Sequence, residues 1–139
     1  MDPQEVVQMT FDDFNNRTYR QNSARYIASD AVLVDGPTGQ ESYGPEGNIM
    51  YADMWITAFP DAMIEVKSHQ VNGNRVVSRF IGKGTFTGQM PAPDGSMIQG
   101  SGQRLEMEFT QDAEVADGMI TRATTTYDMG EFMRQLGLA

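Results

Sequence analysis

The sequence contains no cysteine and one histidine, His69, among its 139 residues. Without cysteine the chain forms no disulfide and offers no thiolate as a nucleophile or metal ligand. A lone histidine cannot form the histidine cluster of a zinc site. We therefore predict that the protein uses neither a metal nor a cofactor.

Positive charge is also scarce, because 10 lysine and arginine residues stand against 19 aspartate and glutamate residues. The net charge of -9 repels phosphate backbones and anionic lipid surfaces. No apolar run approaches membrane-spanning length, and residues 1–8 lack the basic and apolar parts of a signal peptide. We expect no nucleic-acid partner, no membrane partner and a cytoplasmic location.

What the sequence does contain is typical of a globular protein. Hydrophobic residues make up 40% and charged residues 21% of the chain. The length suits one domain with a hydrophobic core. We therefore predict a single domain over residues 1–139.

The first part of the chain has helical periodicity. Val7, Phe11 and Phe14 recur at i, i+4 and i+7 behind Pro3, which suits a first helical turn. The periodicity predicts three helices, over residues 3–16, 24–28 and 48–59.

Strand patterns begin after the first two predicted helices. Ala31–Asp35 is a short β-branched run that stops at Gly36 and Pro37, so it predicts an early strand. Asn-Gly and Asp-Gly turns and a loop with Pro91 and Pro93 separate four further predicted strands, at residues 63–70, 75–87, 103–110 and 119–127. A final helix over residues 128–136, capped by Asp128, completes an α+β fold with an antiparallel sheet.

Five segments of the sequence occur in an order that resembles the SnoaL-like polyketide cyclases, within the nuclear transport factor two-like superfamily. The segments are ARYIASDAVLVDGP, YGPEG, TAFPDAMIEV, NGNRVVSRFIGKGTFTG and YDMGEFMRQLG. The resemblance implies a cone-shaped barrel in which the curved sheet wraps around the N-terminal helices and encloses a pocket. It also implies a small hydrophobic ligand and a homodimer that forms through the opposite sheet face.

The chain departs from this family at two positions. The resemblance puts Thr125 where the cyclases carry a catalytic aspartate, and their partner histidine falls at Leu105 or Glu106. Alternation along the strand places Leu105 with Met107 on the face toward the core, so leucine takes the histidine's place. Neither threonine nor leucine can exchange the proton.

Asp35 is the catalytic candidate. It matches the aspartate base of ketosteroid isomerase, a second relative, although the chain lacks that enzyme's tyrosine and protonated aspartate. Alternation through Ala31, Leu33 and Asp35 directs the carboxylate into the pocket. The alternative is an aspartate that starts the turn at Gly36 and Pro37, which is a common use of the residue.

Candidate ligand contacts come from the last strands and the third helix. Thr125 and Tyr127 offer hydroxyls, while Trp55, with Tyr51 one turn earlier, is placed to line the pocket mouth. Methionine adapts to flat apolar ligands but also fills ordinary cores. We expect ligand contacts from six residues: Tyr127, Thr125, Trp55, Leu105, Met107 and Met54.

Two functions remain open from the sequence. The first is an enzyme that transfers a proton next to the carbonyl of a hydrophobic compound, with Asp35 as base. The second is a non-catalytic module of the same fold that binds an apolar ligand or a partner chain. His69, before a hairpin turn, is expected to be exposed.

Overall fold

The computed structural model describes residues 1–92 and 94–138; Pro93, predicted to lie in a loop, and Ala139 are outside the described residues. The helices are α1 (Pro3–Asn16), α2 (Tyr19–Tyr26), α3 (Gly44–Ala58) and α4 (Met129–Gln135). The strands are β1 (Ile27–Asp35), β2 (Glu41–Tyr43), β3 (Met63–Asn72), β4 (Arg75–Thr85), β5 (Gln89–Pro91), β6 (Met97–Gln99), β7 (Arg104–Ala116) and β8 (Met119–Thr126).

Six of these strands form one sheet in the order β2-β1-β8-β7-β4-β3, and β5 pairs with β6 in a small hairpin. The predicted α+β fold with a curved sheet is confirmed. Neighbouring strands are antiparallel except for β1 and β8, which run parallel. The two strands are far apart in the sequence, so no turn between them predicts the pairing.

Most helix boundaries follow local capping signals. Asp2 caps α1 in a reciprocal box with Glu5, and Asp128 caps α4 as predicted. The α3 helix starts earlier than predicted, at Gly44, because Pro45 suits a first helical turn. The prediction for α2 is wrong by several residues, since residues 27 and 28 already belong to the β-branched run of β1.

Trp55 is the centre of the aromatic core that joins α3 to the sheet and to α4. Its ring lies between 5.6 and 6.2 Å from five others, centroid to centroid. Each such pair contributes about 0.5–1.5 kcal/mol beyond the burial of its area. The five partners are Tyr51, Phe59, Phe109, Tyr127 and Phe132. This cluster fixes α3 over the inner face of the sheet.

The C-terminal end of α3 is held against the segment before β5 by close backbone contact. The Gly88 amide donates to the Ala58 carbonyl at 3.1 Å, and a Cβ at Gly88 would lie 1.7 Å from the Thr57 carbonyl oxygen. Because that neighbour is backbone, it cannot move aside as a flexible side chain would. Gly88 is therefore required at this contact.

Gly88→Ala should lower the free energy of unfolding by about 1–3 kcal/mol, because the added methyl group forces the two segments apart. Urea unfolding measures this loss. The exposed neighbour Thr87 provides the control, since Thr87→Ala adds no atom at the contact. An unchanged urea midpoint for Gly88→Ala would refute the contact.

Candidate functional site

Asp35 ends β1, and its carboxylate is buried among three hydroxyl groups. The residue is 5% exposed. The Tyr51 hydroxyl donates to Oδ1 at 2.6 Å, and the Thr38 hydroxyl donates to Oδ2 at 2.6 Å. The Tyr127 hydroxyl donates to Oδ2 over a longer 3.4 Å. A buried carboxylate needs such donors, because burial without hydrogen bonds is very unfavourable.

The contacts of Asp35 agree with both roles considered for it, the start of a turn and an inward-facing carboxylate. Thr38 and the Gly39 amide, which donates to the Asp35 carbonyl, belong to the turn after β1. Tyr51 and Tyr127 instead come from α3 and from the segment after β8. The carboxylate therefore starts the turn and also faces inward, and the turn alone does not explain the two tyrosines.

The two tyrosines act as hydrogen-bond donors at neutral pH. Burial raises the pKa of Tyr51 far above its usual value, and the hydrogen bond and charge of Asp35 add to the rise. Burial, followed by the charge of Asp35, raises the pKa of Tyr127 in the same direction. Both hydroxyls therefore keep their protons and stabilise the carboxylate.

An apolar cavity of about 120 Å³ lies between the helices and the inner face of the sheet. Six aromatic side chains from α1, α3, β4 and β7 contribute to its wall, and Tyr51 is one of them. Asp35 does not itself line the cavity. Its carboxylate therefore lies one hydrogen bond behind the wall, with the Tyr51 hydroxyl between them.

A second, smaller cavity of about 50 Å³ adjoins the first. The two cavities share four polar lining residues: Asn48, Tyr51, Gln111 and Thr125. Polar groups of the pocket are thus concentrated at the junction, while the rest of the wall is mainly apolar. This is the usual composition of a small-molecule site.

Tyr19 adds a polar group elsewhere in the cavity wall. Its hydroxyl donates to Asp53 at 2.7 Å, and Arg20 pairs with the same carboxylate. Burial, assisted by the hydrogen bond to Asp53, raises the pKa of Tyr19 to about 12. This tyrosine is therefore also protonated at neutral pH.

The residues proposed from the sequence as ligand contacts divide into two groups. Thr125, Trp55 and Leu105 line the cavity. Tyr127 lies behind the wall against Asp35, Met107 is buried in the core, and Met54 lies off the lining stripe of α3. Met54 directly precedes Trp55, so the helix turns its side chain about 100° away from the cavity.

Sequence reasoning missed Gln111 and Asn48, and it missed the pairing of Tyr51 with Asp35. The i, i+4 spacing of Tyr51 and Trp55 was the available signal, since it puts both rings on one helix face. The prediction that His69 is exposed is wrong. Its Nδ1 lies 2.7 Å from Ser78 Oγ, and burial lowers its pKa.

Within residues 1–92 and 94–138, no three histidine, aspartate or glutamate side chains lie together in a way that could hold a metal ion. No helix in these ranges has the length and apolar character needed to cross a bilayer.

Comparisons with known proteins identify the family to which the chain belongs. The family model of the SnoaL-like polyketide cyclases matches residues 5–136. The chain therefore belongs to the SnoaL-like polyketide cyclase family. None of the curated proteins matches the sequence.

Solved structures share the fold at low sequence identity. A candidate SnoaL-like polyketide cyclase from Jannaschia sp. CCS1 is 18% identical with a TM-score of 0.85, over 99% of this chain and 92% of that one. IdmH, a candidate polyketide cyclase from Streptomyces antibioticus, is 23% identical with a TM-score of 0.80, over 99% of both chains. A Catenulispora acidiphila protein with a ketosteroid isomerase-like fold, in complex with trimethylamine, is 16% identical with a TM-score of 0.79. The match covers 100% of this chain and 96% of that one.

The raised pKa of Tyr51 predicts how stability changes at alkaline pH. The folded protein holds this proton more tightly than the unfolded chain, in which tyrosine ionises at about pH 10. The contribution is complete below that pH and is lost as the pH rises toward the folded-state pKa. We expect the free energy of unfolding to fall from about pH 9 to about pH 11, and to fall less in Tyr51→Phe.

Denaturant titrations at the two pH values measure this difference. Tyr26→Phe is the matched control, because its hydroxyl does not bind Asp35, and it should fall as steeply as the wild type. An identical pH dependence in Tyr51→Phe and wild type would contradict the buried pair.

Proposed function

We propose that this protein is a SnoaL-like enzyme that binds a small hydrophobic carbonyl compound and removes a proton from the carbon beside its carbonyl. Asp35 is the final proton acceptor, and neither a metal nor a cofactor takes part. The observation that carries the proposal is the buried Asp35 carboxylate, joined through the Tyr51 hydroxyl to an apolar cavity. A positioned carboxylate of this kind is suited to general-base catalysis.

The proton passes to Asp35 through Tyr51 in the proposed reaction. The Tyr51 oxygen accepts the proton of the ligand C–H bond while its own proton passes to Oδ1 of Asp35 across their hydrogen bond, in which the two oxygens are 2.6 Å apart. The electrons of the broken bond form an enolate on the ligand, and Asp35 becomes neutral. Tyrosine remains protonated throughout, which agrees with its raised pKa.

The enolate can then react in either of two ways, and in each the proton held by Asp35 returns to the product. Return of the proton to a different carbon gives an isomer of the ligand. Attack of the enolate carbon on a second carbonyl forms a carbon–carbon bond and closes a ring, and the resulting alkoxide takes the proton back through Tyr51. Family membership favours ring closure, since the solved relatives include candidate polyketide cyclases.

Asp35→Asn should abolish proton removal while it leaves the fold intact, because asparagine keeps the shape but cannot take the proton. We expect exchange of deuterium into β-tetralone, a flat ketone, to slow by about 100-fold to about 10,000-fold in deuterium oxide. Proton NMR follows this exchange without knowledge of the natural product. Asp30→Asn, an exposed change on the same strand, should exchange at the wild-type rate.

Wild-type exchange no faster than buffer, or unchanged exchange in Asp35→Asn with a normal melting temperature, would reject the proposed reaction. A variant that no longer melts cooperatively does not count, and Asp35→Glu then replaces it. Glutamate keeps a proton acceptor but moves it by one methylene, so exchange as fast as in wild type would count against precise placement of the base.

Tyr51→Phe tests the relay separately from the base. It removes the group between Asp35 and the cavity but keeps the carboxylate, so exchange into β-tetralone should fall by a factor similar to that in Asp35→Asn. Tyr127→Phe is the matched comparison, because the hydroxyl it removes lies 3.4 Å from Asp35 and does not line the cavity. Equal rates in Tyr51→Phe and Tyr127→Phe would contradict a relay through Tyr51.

A non-catalytic binding module is the second candidate function. The observation in its favour is that Thr125 and Leu105, at the positions of the family's aspartate and histidine, line the cavity and exchange no proton. Such a module would bind β-tetralone without exchanging its protons. The deuterium experiment therefore separates the two functions.

The assembly and the location of the protein stay predictions. The expected homodimer would use the outer sheet face, where Val77 and Ile81 of β4 are half-buried. The cross-strand ion pair of Arg79 with Glu108 lies on this face. The cytoplasmic location likewise rests on the sequence alone.

A further inference from the structure

A row of polar side chains crosses the inner face of the sheet at a single level. Asp35 of β1 is in register with Thr125 of β8, and Thr125 is in register with Gln111 of β7. The row continues from Gln111 to Ser78 of β4 and from Ser78 to His69 of β3. We name these five residues the polar row; it runs beneath α1 and α3.

Both ends of the polar row have complete hydrogen bonding. Three hydroxyls surround Asp35 at one end. At the other end, His69 binds Ser78 Oγ through Nδ1 at 2.7 Å and Gln8 Oε1 through Nε2 at 2.8 Å. The protein therefore provides partners for the outer members of the row.

Gln111, at the centre of the polar row, differs from the outer members. Its Oε1 is buried, and among the residues that the structure describes it has no hydrogen-bond donor. A buried amide oxygen without a donor is unfavourable and rare in native structures. Such an atom needs an explanation, and a ligand that supplies the donor is one.

The position of Gln111 supports that explanation. It lines both cavities, together with Thr125 and Tyr51. The amide is thus on the wall that a ligand would touch, at the polar junction and not among the apolar side chains. Its oxygen can accept a hydrogen bond only from an O–H or N–H group.

We infer that Gln111 selects ligands that carry a hydroxyl or enol O–H group, which donates to its Oε1. The inference rests on the proposed function, because the same cavity must hold the ligand. Asp35 and Gln111 are two strands apart, a distance of about 10 Å between backbones. Tyr51 and Gln111 line the same two cavities, so one ligand can carry both the reacting carbon and the hydroxyl.

β-Naphthol and its methyl ether test this selection, because they differ only in the O–H group. Trp55, the single tryptophan, lines the cavity and reports binding by fluorescence quenching. We expect wild type to bind β-naphthol about tenfold more tightly than the ether. In Gln111→Met, which keeps the length but not the acceptor, the two affinities should become equal.

Thermal unfolding without ligand provides a second readout. Gln111→Met removes the unsatisfied oxygen, so its melting temperature should rise above that of wild type. Gln70→Met, at an exposed glutamine of β3, is the control and should change neither the affinities nor the melting temperature.

Three results would each overturn the inference: equal wild-type affinities for the two compounds, no saturable quenching by either, or a lower melting temperature for Gln111→Met. Failure of the proposed function is recognised separately. It would appear as absence of deuterium exchange into β-tetralone, which has no hydroxyl and does not depend on the Gln111 acceptor.

Discussion

The hydrogen bond from the Tyr51 hydroxyl to the Asp35 carboxylate connects the parts of the molecule on which the proposed chemistry depends. At 2.6 Å it joins the middle of α3 to the end of β1 in a region with little access to water. Such a bond to a charged group stabilises more than a neutral one does. It holds the carboxylate at a fixed distance behind the cavity wall.

The surrounding fold protects this bond by keeping α3 in place. Trp55, one turn after Tyr51, packs against rings from β7 and α4, and Gly88 allows the end of the helix to approach the segment before β5. Rigid support matters because general-base catalysis depends on the distance between base and substrate. The apolar core and the polar site are therefore parts of one arrangement.

Patterns with a short repeat predicted much of this arrangement. Alternation along β7 identified Leu105 and Met107 as inward residues, and both are buried. The same alternation in β1 placed Asp35 on the inner face, and the position of Asp128 before a helix identified a cap. These features depend only on neighbours along the chain, so the sequence carries them directly.

Features that depend on strand order could not be predicted in this way. The polar row depends on the register of five strands. The central position of Gln111 in this row is recognised only when Ser78 and Thr125 are known to flank it. The parallel pairing of β1 with β8 and the contact of Tyr51 with Asp35 likewise join elements that no turn connects. His69 was misassigned for the same reason, since its partner Gln8 lies on α1.

Proton NMR of the Tyr51 hydroxyl tests the central interaction most directly. A hydroxyl proton held in a short, buried bond to a carboxylate resonates downfield of the backbone amides and exchanges slowly with water. We predict one such resonance that is absent in both Tyr51→Phe and Asp35→Asn and that shifts when a ligand enters the cavity. A wild-type spectrum without it, or a resonance that survives either substitution, would contradict the account.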